Sequence, residues 1–197
     1  MGPHALGGPA GDQGRPLKVR TFFGLPLPEE HRSALEPYLA AVSAAAPEFR
    51  WTPPGNLHLT IRFLGHVEES VAEGIAGRVE AARPEGFDLA LGTLGSFRRG
   101  PRARVVWLGL AAGESPIAAL AELVEAEAVV AGLEPEGRKF HAHLTLARAR
   151  ARDGAVLPDL AAPPLLSAWR ADEVILYRSR LGRGGSVYEP LRKIRLR

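Results

Sequence analysis

Two motifs in this chain repeat the order histidine, any residue, threonine inside an apolar run. The first is His58-Leu59-Thr60 and the second is His143-Leu144-Thr145, although the whole chain has only six histidines. Side chains alternate between the two faces of a β-strand, so the histidine and threonine of each motif share a face. Two such strands facing one ligand would offer it two imidazoles and two hydroxyls.

A pair of histidines suits general acid–base catalysis. An imidazole titrates at about pH 6.5, so one ring can be neutral while the other is protonated. One ring can then activate an attacking oxygen while the other protonates the leaving oxygen. Threonine hydroxyls can donate to the non-bridging oxygens of a phosphate, where charge develops during the reaction. The pattern therefore points to an in-line displacement at phosphorus.

The composition is that of a soluble globular protein with an uneven charge distribution. The chain has 197 residues, of which 46% are hydrophobic and 24% charged, and it has no cysteine. That excludes disulfides, thiolate metal sites and a cysteine nucleophile, and it fits a reducing cytoplasm. Residues 1–137 carry a net charge of −5 and residues 138–197 a net charge of +8. A basic segment fits a polyanion such as RNA, although the charge taken alone favours a solvated arginine-rich surface.

The apolar periodicity predicts an α+β fold with antiparallel sheets. Each motif lies on a predicted strand with a helix before it and further strands around it, which indicates two similar lobes. His31 and His66 are predicted to lie at the surface. The predicted strands are 18–27, 57–64, 87–97, 104–110, 140–148, 172–181 and 187–196, and the predicted helices begin at Pro28, ending or kinking at Pro37, and span 68–83 and 115–131.

The N-terminal segment before Lys18 differs from the rest of the chain. Residues 1–17 are rich in glycine and proline and lack the hydrophobic region of a secretory signal. We expect a disordered tail there, followed by a single two-lobed domain over 18–197. No apolar run approaches the roughly 18 residues of a membrane span, so no membrane association is expected.

The paired motifs resemble those of the two-histidine phosphoesterase superfamily. Within it, the chain resembles the RNA 2′,3′-cyclic phosphodiesterases, also called LigT-like proteins or 2′-5′ RNA ligases. The resemblance covers nearly all of residues 18–197. It rests on the segments Arg20–Leu25, Asn56–Gly65 and His143–Arg148, and on Ser179-Arg180-Leu181 followed by Gly185 and Tyr188.

This resemblance implies a specific reaction. It implies two antiparallel lobes that meet in a cleft, and metal-independent opening of a terminal 2′,3′-cyclic phosphate on RNA to a 2′-phosphate. His58 would be the general acid on the 3′ oxygen and His143 the base for water, while Thr60 and Thr145 would bind the phosphate. The reverse reaction would join RNA ends through a 2′-5′ link. No cofactor or metal is implied, and we expect a cytoplasmic monomer acting on RNA ends such as those of tRNA fragments.

Four further side chains are candidates for the site. Arg148 trails the second motif and is predicted to bind phosphate, yet strict alternation puts it on the face opposite His143, so a bulge or a strand end is required. Arg62 and His141 lie on the motif faces by the same alternation and are candidates for substrate contact. Phe22 is predicted to stack on a base, as aromatic side chains do in single-stranded RNA recognition, although core packing is equally compatible.

Other functions remain open from the sequence. The same chemistry could act on a small cyclic nucleotide, an ADP-ribose cyclic phosphate or a 2′-5′ oligonucleotide. A noncatalytic protein that binds RNA ends is a different class, but binding alone would not require two titrating groups. A zinc hydrolase is a third class, and the motifs supply only two histidines and no carboxylate on the same strands.

Overall fold

A computed structural model describes residues 18–182 and 185–197, so the predicted tail lies outside the described residues. The fold is α+β, as the sequence predicts. Three helices are present in the described part of the chain, together with one 3₁₀ turn at Pro54–Asn56. The strands are β1 Lys18–Pro26, β2 Phe49–Trp51, β3 His58–Glu68, β4 Phe87–Arg99, β5 Arg102–Ala112, β6 Leu144–Ala149, β7 Trp169–Ala171, β8 Glu173–Gly182 and β9 Gly185–Arg195, and the helices are α1 Glu29–Ala45, α2 Glu69–Ala81 and α3 Glu114–Val130.

The strands form one antiparallel sheet that consists of two halves. The order is β7-β4-β5-β6-β3-β1-β8-β9, and β2 pairs with the far end of β6. The halves meet where β3 and β6 pair through Leu59 and Leu144 alone. These two leucines are the middle residues of the two histidine motifs, so the junction between the halves is also the place where the motifs meet.

All three helices pack on the same face of this sheet. Helices α2 and α3 cover the half that contains β3, and their apolar side chains share a core with Leu59. Helix α1 covers the other half and shares a core with Leu144. Each of these leucines is fully buried. An antiparallel sheet can leave one face uncovered by helices, and here that face carries the side chains that alternate with the leucines.

Some local predictions fail for identifiable reasons. Pro37 does not end α1, because buried side chains on both sides of it hold the helix through to Ala45. His31 is 1% exposed rather than a surface group, and its ring bonds to the carbonyl oxygen of Ser167 at 2.8 Å. Strands β2 and β7 have three residues each, too few for a periodic pattern. Within the described residues, no helix combines the length and apolar character needed to cross a membrane.

Candidate active site

The histidines and threonines of the two motifs come together at the junction of the two halves. His58 is the first residue of β3, and His143 immediately precedes β6. Because Leu59 pairs with Leu144, the antiparallel register sets His58 opposite Thr145 and Thr60 opposite His143. All four side chains lie on the face that the helices leave uncovered.

Both imidazoles are held in the same way. His58 Nδ1 donates to the carbonyl oxygen of Asn56, and His143 Nδ1 donates to that of His141, each at 2.7 Å. A carbonyl can only accept, so Nδ1 carries the proton in each neutral ring. The remaining nitrogen, Nε2, is therefore an acceptor in both histidines. The Thr60 hydroxyl donates to His58 Nε2 at 3.1 Å.

His58 stands in an aromatic enclosure. Its ring centroid lies 4.8 Å from that of Phe22, 5.1 Å from that of Tyr188 and 6.2 Å from that of Tyr177. Gly24 allows this close packing, since a Cβ there would lie 3.2 Å from His58 Cδ2. These rings fix the orientation of His58 and exclude water from one side of it.

A hydrogen bond connects the turn before His58 to the β8–β9 hairpin. The Asn56 side-chain amide donates to the carbonyl oxygen of Ser186 at 2.7 Å. Tyr188 lies two residues along β9 from Ser186. This contact therefore links the backbone that orients His58 to the strand that supplies part of its aromatic enclosure.

His143 has a different and more open setting. The ring centroid of His143 lies 5.0 Å from that of Phe97, 5.9 Å from that of His141 and 6.2 Å from that of Trp107. Trp107 is the β5 partner of Thr145, so β5 supplies this contact directly. The hydrogen bond of His143 Nδ1 is solvent-exposed, whereas that of His58 Nδ1 is partly buried.

Burial disfavours the charged form of both histidines. Burial, together with the positive charge of Arg148, lowers the pKa of His58 to about 4. Burial also lowers the pKa of His143, with contributions from His141 and Arg148. Both rings are therefore neutral near pH 7 in the free protein. An anionic ligand between them would favour protonation and raise both pKa values.

A β-bulge brings Arg148 to the face of the site. In β6, Thr145 pairs with Trp107 and Ala147 pairs with Val106, which leaves Leu146 without a partner. The extra residue shifts the alternation by one, so Leu146 and Ala147 are both buried and Arg148 follows Thr145 onto the open face. This bulge meets the geometric requirement that the sequence alone left unsatisfied.

A second β-bulge, in β3, places Arg62 on the face opposite to the one that strand alternation predicts. Ile61 is unpaired between Thr60, which pairs with Gly24, and Arg62, which pairs with Phe23. Arg62 therefore turns to the helix side, where it forms an ion pair with Glu125 of α3. The structure therefore places this candidate for substrate contact away from the open face. Phe63 takes the open face instead and is 42% exposed.

Phe22 also differs from its predicted role. Its side chain is 1% exposed, because the rings of His58, Tyr177 and Tyr188 surround it. No face of the ring remains free to stack on a base. Phe22 therefore packs against the ring of His58 and holds it in place. The prediction that Phe22 contacts the substrate directly is wrong, because its side chain is buried.

Arg148 is the cation at the centre of the site. It forms no ion pair within the described residues. Partial burial lowers the pKa of its guanidinium, and the charges of Arg20 and Arg104 lower it further. Arg20 and Arg104 thus lie near enough to Arg148 to repel its charge, and none of the three has a carboxylate partner among the residues that the structure describes. Such an arrangement is typical of an anion-binding site.

This constellation can be compared with known proteins. A family model described as LigT like Phosphoesterase matches residues 25–107 and 109–188, which include both motifs. The chain belongs to this family. Relatives of this LigT-like phosphoesterase include the RNA 2′,3′-cyclic phosphodiesterase of Escherichia coli K12, which is 34% identical over 88% of this chain and 94% of that protein. The enzyme of the same description from Aeropyrum pernix is 35% identical over 71% of this chain and 82% of its own length.

Solved structures agree with this assignment. The crystal structure of E. coli LigT complexed with 3′-AMP is 30% identical and covers 91% of this LigT-like phosphoesterase and 98% of that chain, with a TM-score of 0.77. The crystal structure of TT0787 of Thermus thermophilus is 28% identical with the same coverage and a TM-score of 0.76. The predicted two-lobed α+β fold is thus confirmed.

Several residues of the site were missed by the sequence analysis. Phe97 and Trp107 contact His143 from β4 and β5, but nothing in their local sequence distinguishes them from core aromatics. Asn56 holds both His58 and Ser186, and its place directly before the first motif is the one signal that points to it. No cluster of three potential metal-ligating side chains occurs in residues 18–182 and 185–197.

Proposed function

We propose that this protein opens a terminal 2′,3′-cyclic phosphate on RNA and leaves a 2′-phosphate and a 3′-hydroxyl. The observation that carries the proposal is the pair of histidine–threonine sets on one face of the sheet, in each of which the histidine Nδ1 is held by a backbone carbonyl and Nε2 is the acceptor. Relatives at 34% and 35% identity are described as RNA 2′,3′-cyclic phosphodiesterases, which supports this activity.

His58 acts as the general acid. Because the bound phosphate anion raises its pKa, His58 takes up a proton at Nε2 when the substrate binds. It donates this proton to the 3′ oxygen as the bond between phosphorus and that oxygen breaks. The Phe22, Tyr177 and Tyr188 rings around His58 give an apolar wall against which a ribose can pack. This enclosure supports placing the nucleoside, and hence the leaving 3′ oxygen, on the His58 side.

His143 acts as the general base. It removes a proton from the water that attacks phosphorus in line with the leaving oxygen, and its Nε2 is an acceptor in the free protein. The setting of His143, which is more open than that of His58, supports this role, because the attacking water enters from bulk solvent. At the end of the reaction, the proton lost by His58 has gone to the 3′-hydroxyl and His143 carries the proton taken from water.

Thr60, Thr145 and Arg148 stabilise the phosphate. The two hydroxyls donate to its non-bridging oxygens, and the guanidinium offsets the negative charge that builds up on them. The positions of these three side chains on the open face support this assignment. The reaction needs no cofactor or metal in this scheme, since the acid, the base and the anion-binding groups all come from the chain.

The substrate class and the setting of the protein follow from the same proposal. The net charge of +8 over residues 138–197 favours RNA over a small cyclic nucleotide or a cyclic ADP-ribose phosphate. RNA ends such as those of tRNA fragments, a monomeric state and a cytoplasmic location complete the proposal. The reverse reaction, ligation of a cyclic end to a 5′-hydroxyl, uses the same groups in exchanged roles.

Product analysis tests the proposal directly. An RNA oligonucleotide with a 2′,3′-cyclic end is incubated with the protein in excess chelator, and the product is identified as a 2′- or a 3′-phosphate. We expect the 2′-phosphate, and we expect His58→Ala and His143→Ala each to lower the rate by about 10²–10⁴-fold. A 3′-phosphate product would mean that the 2′ oxygen leaves instead of the 3′ oxygen. Full activity of both variants would falsify the histidine mechanism. Loss of activity in chelator would point to a metal hydrolase.

A further inference from the structure

A basic cavity lies at the outer end of β1 and on the same half of the molecule as His58. It has a volume of about 560 Å³. Strand alternation from Phe22 puts Lys18 and Arg20 on the face of the active site, and Arg20 pairs with His66 of β3. The lining residues are Lys18, Val19, Arg20, His66, Arg178, Ser179, Arg180 and Leu181, with no acidic residue among them.

The cations of this cavity fall into two groups. Arg178 and Arg180 are neutralised by carboxylates, since Arg178 pairs with Glu69 and both contact Glu189. Lys18 and Arg20 form no ion pair with any residue that the structure describes. The uncompensated positive charge of the cavity therefore comes from β1.

Strand β1 runs from the active site to the cavity. Gly24 pairs with Thr60 of the first motif, and Arg20 and Lys18 follow on the same face at about 13 Å and about 20 Å along the strand. The side chain of Arg20 also lies close enough to lower the pKa of Arg148 by charge repulsion. A row of cations thus leads from the phosphate position at Arg148 to the cavity.

We propose that this cavity binds the phosphodiester backbone of the RNA upstream of the cyclic end, with Lys18 and Arg20 as its phosphate contacts. The inference rests on the proposed function and adds a second binding region to it. A cyclic mononucleotide fills only the space between the two histidines. An oligonucleotide has further phosphates upstream of the cyclic end, and these can reach Arg20 and Lys18 at about 13 Å and about 20 Å along β1 from Gly24. The cavity then distinguishes an RNA end from a free cyclic nucleotide.

The test compares two substrates in a charge-removing double variant. Lys18→Gln with Arg20→Gln is assayed on a 2′,3′-cyclic mononucleotide and on an oligonucleotide with the same terminal nucleotide. We expect KM for the oligonucleotide to rise about tenfold, whereas kcat/KM for the mononucleotide should fall by no more than about threefold, through the loss of the Arg20 charge near Arg148. The slope of log(1/KM) against log salt should become shallower by about 1.4, since about 0.7 is expected per single-strand phosphate contact.

Two control variants separate charge from position and from folding. Arg83→Gln with Arg197→Gln removes the same charge from exposed arginines after α2 and at the carboxyl terminus. It should leave both substrates unaffected. Lys18→Arg with Arg20→Lys keeps the charge and should retain the oligonucleotide KM. Thermal unfolding of each variant shows whether the fold is preserved.

The outcomes distinguish this inference from the proposed function. If the wild type opens neither substrate, the proposed function fails. If the wild type opens both and the glutamine variant keeps its oligonucleotide KM, the cavity is not an RNA-binding region. An equal loss on both substrates would also overturn the inference, because the effect would then arise at Arg148.

Discussion

The two halves of the active site have the same β-bulge after the threonine of each motif, and they differ in the side chain that the bulge brings to the open face. In each motif the residue after the threonine, Ile61 or Leu146, is bulged out of register. The third residue after each threonine then reaches the open face. It is Phe63 in the half that contains His58 and Arg148 in the half that contains His143. One backbone pattern thus places an apolar side chain after the first motif and a cationic side chain after the second.

This difference gives the two histidines separate tasks. The half of His58 is lined by aromatic rings and suits a nucleoside, whereas the half of His143 carries the guanidinium and is open to solvent. A phosphodiester has the same two parts, an apolar sugar side and a charged phosphate that water must reach. The asymmetry of the side chains therefore orients the substrate on a nearly symmetric backbone.

Apart from the loss of either histidine, the largest expected effect comes from removing Arg148. Arg148→Met should lower kcat/KM on a cyclic phosphate by about 10²-fold, because a fixed charge on the transition-state oxygens is lost. Phe63→Met, the equivalent change in the other half, should stay within about threefold. Steady-state kinetics on one substrate measures both variants, and equal losses would contradict the different roles of Phe63 and Arg148.

The second prediction concerns stability, since His58 is buried in its neutral form. The pKa of His58 is about 4 in the folded protein and 6.5 in the unfolded chain. As the pH falls from 6.5 towards about 4, the unfolded chain therefore takes up a proton that the folded protein does not, and the fold loses stability. We expect the free energy of unfolding to fall by about 2 kcal/mol over this range through His58. In His58→Gln this contribution is absent, and urea unfolding at the two pH values compares them. A matching loss in both proteins would refute the assignment.

Gly24 provides a third and smaller test. A Cβ at this position would lie 3.2 Å from His58 Cδ2 and 3.3 Å from the Leu59 carbonyl oxygen, so His58 must shift. Gly24→Ala should lower kcat by about three- to tenfold with little change in KM, because misplacement affects proton transfer. Gly55→Ala is the matched control, since no atom lies within 4 Å of its added Cβ. A normal kcat in Gly24→Ala would show that the close packing is unimportant.

The smallest expected effect is a displacement between two pH profiles. The profile of kcat/KM reports the free protein, in which burial lowers the pKa of both histidines. The profile of kcat reports the complex, in which the bound phosphate anion raises them. We therefore expect the optimum of kcat at a higher pH, by about one unit, than that of kcat/KM. Coinciding optima would mean that the phosphate does not contact the imidazoles.

The local sequence was sufficient to predict the site residues where the catalytic residue types recur with the two-residue period of a strand. The motifs are recognisable because histidine and threonine recur at a spacing that strand geometry turns into a shared face. Local sequence was insufficient where a single unpaired residue changed that geometry. Arg62 and Arg148 illustrate this, since alternation assigned them to the wrong faces and the bulges at Ile61 and Leu146 exchanged them.

The sequence by itself determined that two histidine–threonine pairs exist, one on each of two strands in an α+β fold, because strand alternation is a local property. Only the tertiary structure decided that Leu59 meets Leu144, that Arg148 joins the site and Arg62 leaves it, and that Phe22 lies beneath His58. These outcomes depend on pairing between strands far apart in the chain. Register and bulges are set by the packed core as a whole, and no short window of sequence contains them.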